Sequence, residues 1–263
     1  STVSPTYAAE IQHEPLGMGM QGLLSARRAQ LHGILNGIDV DVWDPASDPH
    51  LAARYDAATL EAKLFNKRAL QARLGLAQSD EVPLAGVVAR LTHQKGIDLL
   101  LEVAHELLGL PCQLALLGRG EKDYADRLLA LEREHPDRLA VRIAHDEGLA
   151  HLIEAGADFY LMPSRFEPCG MNQMFSQRYG TPPVVRATGG LTDSVTDCTA
   201  ETLAGGTATG FVFREASGEA LLEAAARAAQ VKASAMARRF PATSNGRVVP
   251  EKGRPASPAN APR

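Results

Sequence analysis

From Val82 onward, short apolar runs alternate with stretches that are apolar on one side only at helical spacing. The apolar runs predict strands over Leu84–Ala89, Gln113–Leu117, Leu139–Ile143, Phe159–Met162, Pro183–Arg186 and Gly210–Phe213. The segments between and after them predict helices over Ile97–Leu108, Lys122–Glu134, Gly148–Ala155, Asn172–Tyr179, Leu191–Thr196 and Gly218–Val231. Six strand-then-helix units in a row imply an α/β architecture, a parallel sheet with helices on both faces. In such sheets ligands bind beyond the carboxyl ends of the strands, so each strand-to-helix loop is a candidate for chemistry.

The first 80 residues do not alternate this way. Gly17-Met18-Gly19-Met20-Gln21-Gly22 is a glycine-rich loop ahead of a helical stretch, Leu23 to Gln30; it lacks the preceding strand and the Lys-Ser/Thr ending of a phosphate loop, and is read as a flexible turn. Leu35 to Trp43 joins an Asn-Gly turn to a short strand. Asp39 and Asp41 form an Asp-x-Asp pair of the kind that can hold a metal on a sugar nucleotide, but an exposed strand end accounts for it, and no metal site is assigned. Thr59 to Leu74 predicts a helix closed by Gly75.

Five loops fall at predicted carboxyl ends. After the first strand, Arg90 and Lys95 bracket Leu91-Thr92-His93-Gln94 just before Gly96; two permanent cations flanking a helix start suit a diphosphate, although a solvated loop has the same composition. Gly118-Arg119-Gly120 permits close backbone approach after the second. The third loop offers His145, which suits either stacking on a base or a structural role; His151, six residues on, is assigned to capping or the core. The fourth, Pro163-Ser164-Arg165-Phe166-Glu167-Pro168-Cys169-Gly170-Met171-Asn172-Gln173, sets one carboxylate and one guanidinium before a helix start, where backbone N–H groups and the helix dipole favour an anion. The fifth, Thr188-Gly189-Gly190-Leu191, is another glycine-rich turn into a helix. Cys169 has no histidine near it in sequence to make it a nucleophile, so packing is its assigned role.

Composition changes the picture at one place. The chain of 263 residues is 45% hydrophobic and 22% charged, within the range of globular proteins, and no apolar run approaches the ~18 residues of a membrane span. Its net charge is −4, yet Lys232 to Arg263 holds seven basic residues and one acid, leaving −10 on the preceding 231. That tail, with five prolines, is expected to be disordered, and without interleaved aromatics it argues little for nucleic acid. Three cysteines without metal spacing suggest thiols in a reducing cytoplasm. The start at Ser1, with no initiator Met and no signal-peptide pattern, reads as the middle of a longer protein.

Taken together, Arg90-Leu91-Thr92-x-Gln94-Lys95-Gly96, Ser164-Arg165-Phe166-Glu167-Pro168-Cys169-Gly170, Arg178-Tyr179-Gly180-Thr181 and Thr188-Gly189-Gly190-Leu191 resemble the bacterial glycogen synthase and plant starch synthase family. Ser4-Pro5-Thr6-Tyr7 and Gly33-Ile34-Leu35-Asn36-Gly37-Ile38-Asp39 resemble the interdomain region of the same family, and the match runs to about Ala228. The resemblance implies the C-terminal, Rossmann-like half of a GT-B glycosyltransferase without its N-terminal domain. Residues 1–80 would be the interdomain segment, 81–231 the nucleotide-sugar-binding domain and 232–263 the basic tail.

It further implies a retaining transfer of glucose from ADP-glucose to the non-reducing end of an α-1,4-glucan, with neither metal nor cofactor. Arg90 and Lys95 would neutralise the leaving diphosphate, and Glu167 would support positive charge at the anomeric carbon. Gly170, Met171 and Asn172 would offer helix-start N–H groups, with Thr188 and Gly189 beside them. His145 stands where many relatives have Tyr, which leaves base stacking there open, and the family's Lys-x-Gly-Gly-Leu loop and aromatic C-terminal helices do not occur in this sequence. The alternatives are a nucleotide-binding fragment without turnover and a GT-B transferase using another donor such as UDP-glucose.

Overall fold

A computed structural model describes residues 1–231. The expectation for the tail from Lys232 lies outside the described residues. Six strands, β1 (Leu84–Leu91), β2 (Gln113–Gly120), β3 (Leu139–Ile143), β4 (Phe159–Met162), β5 (Pro183–Arg186) and β6 (Phe211–Phe213), form one sheet. All neighbouring pairs are parallel and their order is β3-β2-β1-β4-β5-β6. Three of the expected strands keep the boundaries read from the sequence; β1 and β2 run two and three residues further, to Leu91 and Gly120, as a continuous eight-residue parallel ladder.

Side-chain alternation along the strands divides the core in two. On one face Leu114, Leu116, Val141, Phe159 and Leu161 meet helices α4 (Ile97–Glu102), α5 (Ala104–Gly109), α6 (Lys122–Glu134) and α11 (Gly218–Gln230). On the other, Ala115, Leu117, Ala140 and Tyr160 meet α3 (Lys63–Leu74), α7 (Glu147–Gly156) and α9 (Gly189–Ser194). The strands are apolar at nearly every position because both faces are covered.

The helix expected over Ile97–Leu108 is instead two, broken at Val103 (φ −115°, ψ 17°). The start of α11 packs against the break, so closely that a Cβ on Gly218 would meet Val103 Cγ1 at 2.6 Å. Thr59–Leu74 likewise begins as a 3-10 turn, Leu60–Ala62, before α3. No β-branched residue interrupts α3, and Gly75 at φ 79° ends it, with Leu76 N–H donating to the Gln71 carbonyl.

Leu35–Trp43 does not form the expected strand. Asp39 Oδ1 accepts the N–H groups of Asp41 (3.0 Å) and Val42 (3.3 Å), closing a side-chain turn that competes with extended pairing. The early segments are α1 (Pro5–Glu10) and α2 (Gln21–Ala26), and α10 (Ala200–Ala204) precedes β6. α1 carries a clear start signal, with Ser4 Oγ accepting from Tyr7 N–H and Pro5 at the first position.

Residues before β1 are fastened to the sheet domain. Leu70 and Leu74 are buried in the α3/α7 core. Lys63 Nζ donates to the carbonyls of Glu154 (3.3 Å) and Ala155 (2.6 Å) at the end of α7 and to Thr181 Oγ1 (2.6 Å). No helix among the described residues is long and apolar enough to cross a membrane.

Candidate active site

The chain turns from one half of the sheet to the other between β1 and β4, the topological switch point at which doubly wound sheets bind ligands. The two strands pair only at Ala85–Phe159 and Gly86–Tyr160 and then part. Past that point the Tyr160 hydroxyl accepts from Val88 N–H (3.0 Å) and donates to the Val88 carbonyl (2.8 Å), and Asn172 Nδ2 donates to the same carbonyl (2.7 Å) and to the hydroxyl (2.8 Å). A cleft of about 630 Å³ opens there. Arg90, Lys95, Arg119, His145, Glu167, Gly170, Met171 and Asn172 all line it, with Trp43 from the early segment.

Lys95 and Glu167 are bonded across the mouth, Nζ to Oε2, at 2.5 Å. Glu167 is 6% exposed, and the same oxygen accepts from Ser164 Oγ at 3.0 Å. Lys95 ends a 3-10 turn, His93–Lys95, that Gly96 closes at φ 67°; a Cβ there would lie 2.0 Å from the Pro163 carbonyl oxygen. The β1 and β4 loops are further joined by Arg165 N–H to the Gln94 carbonyl (2.8 Å). Arg90 is exposed and reaches Gln94 Oε1 at 2.9 Å. Two cations and one carboxylate thus share one wall. Arg165 belongs elsewhere: it is ion-paired with Asp98.

Gly170 adopts φ 69°, Met171 precedes α8 (Asn172–Arg178), and Asn172 spends its side-chain donors on Val88 and Tyr160. His145 is exposed on the β3–α7 loop beside Asp146, whose Oδ1 caps α7 through Leu149 N–H at 2.8 Å. His151 is buried, with Nδ1 2.7 Å from Asp48 Oδ2 and its ring stacked on Trp43 at 3.9 Å. Trp43 stacks on Phe175 as well, at 3.7 Å, so its indole is wedged where it meets the cleft. Burial pushes the Cys169 thiol above its ordinary range, which suits packing rather than thiolate chemistry.

Thr188 and Gly189 do not line the cleft. Thr188 Oγ1 and Gly189 N–H donate to Glu10 Oε1 at 3.0 and 2.9 Å, and Gly190 N–H donates to the Glu167 carbonyl at 3.0 Å. Here glycine is required by space: a Cβ on Gly189, at φ 44°, would sit 1.9 Å from the Glu167 carbonyl oxygen. α1 is held to the same region by Ser4 Oγ to the Pro168 carbonyl (2.7 Å) and by Thr6 to Asp193 (2.9 and 2.6 Å).

Sequence reading alone did not reach Glu10, Trp43, Tyr160 or Ser164. Ser164 lay inside the singled-out loop; the other three act across 12 to 179 positions and left no local sign. Three metal-capable side chains, His105, Glu134 and His135, come within reach of one another, and none of them lines the cleft.

Residues 72–240 match the model of the family described as glycosyl transferases group 1. The chain is 60% identical over 227 residues to a glycogen synthase of Nitrosospira multiformis, covering 86% of this chain and 46% of that protein. A glycogen synthase of Aromatoleum aromaticum is 59% identical over 235 residues, with 89% and 48% covered. The chain therefore spans about half the length of these curated relatives. The catalytic domain of starch synthase IV from Arabidopsis thaliana, solved bound to ADP and acarbose, superposes with a TM-score of 0.85 at 36% identity, over 93% of this chain and 51% of that one. The α/β sheet is the Rossmann-like C-terminal half of a GT-B fold. By its sequence the chain belongs to the group 1 glycosyl transferases.

Proposed function

We propose that this chain is the donor-binding half of a retaining glucosyltransferase of the glycogen synthase type, one that moves glucose from ADP-glucose to the non-reducing end of an α-1,4-glucan. The observation that carries the proposal is the convergence of Arg90, Lys95 and Glu167 on one cleft at the switch point. Breaking a sugar–phosphate bond leaves negative charge on the diphosphate and positive character on the sugar. Fixed cations beside the first and a carboxylate beside the second stabilise that separation, and one such group is worth about 10²–10³ in rate.

In this reading Arg90 and Lys95 receive the diphosphate, together with the start of α8 at Gly170, Met171 and Asn172. Glu167 lies beside the glucose, and His145 and Trp43 flank the base. Thr188 and Gly189 support the loop that carries Glu167, through Gly190, rather than meeting the ligand themselves. The developing charge is met by side chains, and no metal or cofactor is given a part. The ADP and acarbose bound to the Arabidopsis relative support both the donor and the glucan. Three scattered cysteines without metal spacing support a reducing, cytoplasmic setting.

Orienting acceptor against donor supplies much of the rate of such a transfer. The 263-residue chain, about half the length of its curated relatives, is expected to bind ADP without measurable glucan synthesis. Isothermal titration of the chain with ADP and with UDP tests the donor class. Tighter binding of ADP supports the reading, whereas preference for UDP assigns the site to another sugar nucleotide.

A further inference from the structure

We infer that Tyr160 is a positioning residue of the donor site, acting through Val88 and Asn172 to set the first turn of α8 against the strand end that carries Arg90. The inference rests on the nucleotide-binding reading above and adds to it a residue in the sheet core.

The argument begins with backbone accounting. β1 loses its β4 partner after Gly86, yet continues to Leu91. Val88, two positions on, then has an N–H and a carbonyl facing a strand that no longer supplies partners. Val88 is half-buried at the cleft, and its backbone groups need partners from water or from a side chain in place of the missing ladder. The Tyr160 hydroxyl takes both groups, accepting at 3.0 Å and donating at 2.8 Å. Asn172 Nδ2 completes the set with one hydrogen to the Val88 carbonyl and one to the hydroxyl.

The hydroxyl and the Asn172 amide hydrogens are then fully used. The hydroxyl has one donor and two acceptor positions, all engaged, and both Asn172 amide hydrogens are engaged. Tyr160 is 1% exposed, so water does not readily replace a lost partner. The three residues belong to β1, β4 and α8, the elements that flank the crevice. Val88 stands two residues before Arg90 on the same strand, hence on the same side of it. Asn172 is the first residue of α8, directly after Gly170 and Met171. A hydroxyl at position 160 therefore fixes the spacing between the guanidinium and the helix start that are to share one diphosphate. Phenylalanine would fill the same volume and leave this spacing unset.

The test is calorimetric titration of the chain with ADP for the native protein, Tyr160→Phe, Asn172→Ala and the double variant, with thermal denaturation of each. Tyr160→Phe is expected to weaken ADP binding about tenfold while the protein stays folded. The double variant should bind little worse than the weaker single, because both changes break one network. A merely structural role would lower the melting temperature and leave ADP affinity alone. The salt dependence separates positioning from direct charge contact: Tyr160→Phe keeps the native dependence, while Lys95→Ala flattens it.

Native-like affinity in Tyr160→Phe, or losses that simply multiply in the double variant, overturns the inference. Should Tyr160→Phe fail to fold, Asn172→Ala alone decides, since it leaves both Tyr160–Val88 bonds in place, and unchanged affinity there refutes the brace. Absence of ADP binding by the native chain overturns the nucleotide reading and the brace with it; binding by the native chain with unaffected variants overturns the brace only.

Discussion

Lys95 Nζ and Glu167 Oε2, 72 positions apart in sequence, meet at 2.5 Å across the mouth of the cleft. Each is the other's counter-charge before any ligand arrives, and each is already desolvated to a similar degree, with 17% and 8% of the side chain exposed. A diphosphate entering this site competes with Glu167 for Lys95 rather than finding a bare cation.

That competition sets the first prediction. Lys95→Ala removes a charged donor and leaves Glu167 facing the ligand, so ADP affinity should fall about 10- to 100-fold, the range expected for a hydrogen bond to a charged group. Glu167→Gln releases Lys95 and removes a repelling carboxylate, so ADP should bind at least as tightly as before. In a protein of the relatives' full length, the same substitution should cost about 10²–10³ in transfer rate. Titration of both variants and a glucan-incorporation assay measure these outcomes; weaker ADP binding in Glu167→Gln would contradict the competition.

Gly189 is the second test. Its left-handed φ of 44° and the 1.9 Å approach of a Cβ to the Glu167 carbonyl mean that alanine must move the Glu167 main chain. Gly189→Ala should destabilise the fold by about 2–4 kcal/mol, as strain and a backbone clash combine. Gly75→Ala, also at positive φ but with open space around the Cβ, should cost much less. Urea unfolding of the two variants compares them; equal losses would mean that the contact with Glu167 relaxes freely.

A third prediction concerns pH. Burial lowers the Lys63 ammonium from its ordinary 10.5 to about 7. Between those values the unfolded chain holds a proton that the folded chain has released. Stability therefore rises with pH across the window from about 7 to 10.5 through this group. Lys63→Met removes that contribution, so from pH 7 to 9.5 the native protein should gain stability relative to the variant. Urea midpoints at the two pH values give the comparison, and parallel pH profiles would show that Lys63 does not titrate there. Burial also raises the neighbouring Glu154 carboxyl while Lys63 pulls it down, so Lys63→Met is compared with native in a Glu154→Gln background, which isolates the lysine.

What was legible in the chain follows from the range of the forces involved. The strands Phe159–Met162 and Pro183–Arg186 could be read to the residue, because both are apolar runs bounded by Asp, Pro or Ala and buried on both faces. Lys122–Glu134 could be read because its apolar stripe is local. The break at Val103 could not, since the segment packed against it begins at Gly218, 115 positions away. The expected strand at Leu35–Trp43 failed for a local reason that was visible but outweighed: the side chain of Asp39 bonds its own backbone.

In the site, Arg90, Lys95, Glu167 and the start of α8 were visible because glycine, charge and loop position coincide in sequence. Glu10 and Tyr160 were not, for opposite reasons. Glu10 looks like any carboxylate on a short helix until Gly189 is brought to it. Tyr160 looks like any core aromatic until its hydroxyl is asked to replace part of a β-ladder.

The bond from Glu10 to Thr188 and Gly189 has a thermodynamic consequence. One carboxylate on α1 holds the turn whose next N–H supports the main chain of Glu167. Whatever coupling this contact gives between docking of α1 and the seating of Glu167 is reciprocal. A ligand that steadies Glu167 must tighten α1 by the same free energy that docked α1 lends to the ligand. ADP binding is therefore expected to slow hydrogen exchange at Ala8 and Ile11, and unchanged exchange there would mean that the contact transmits nothing.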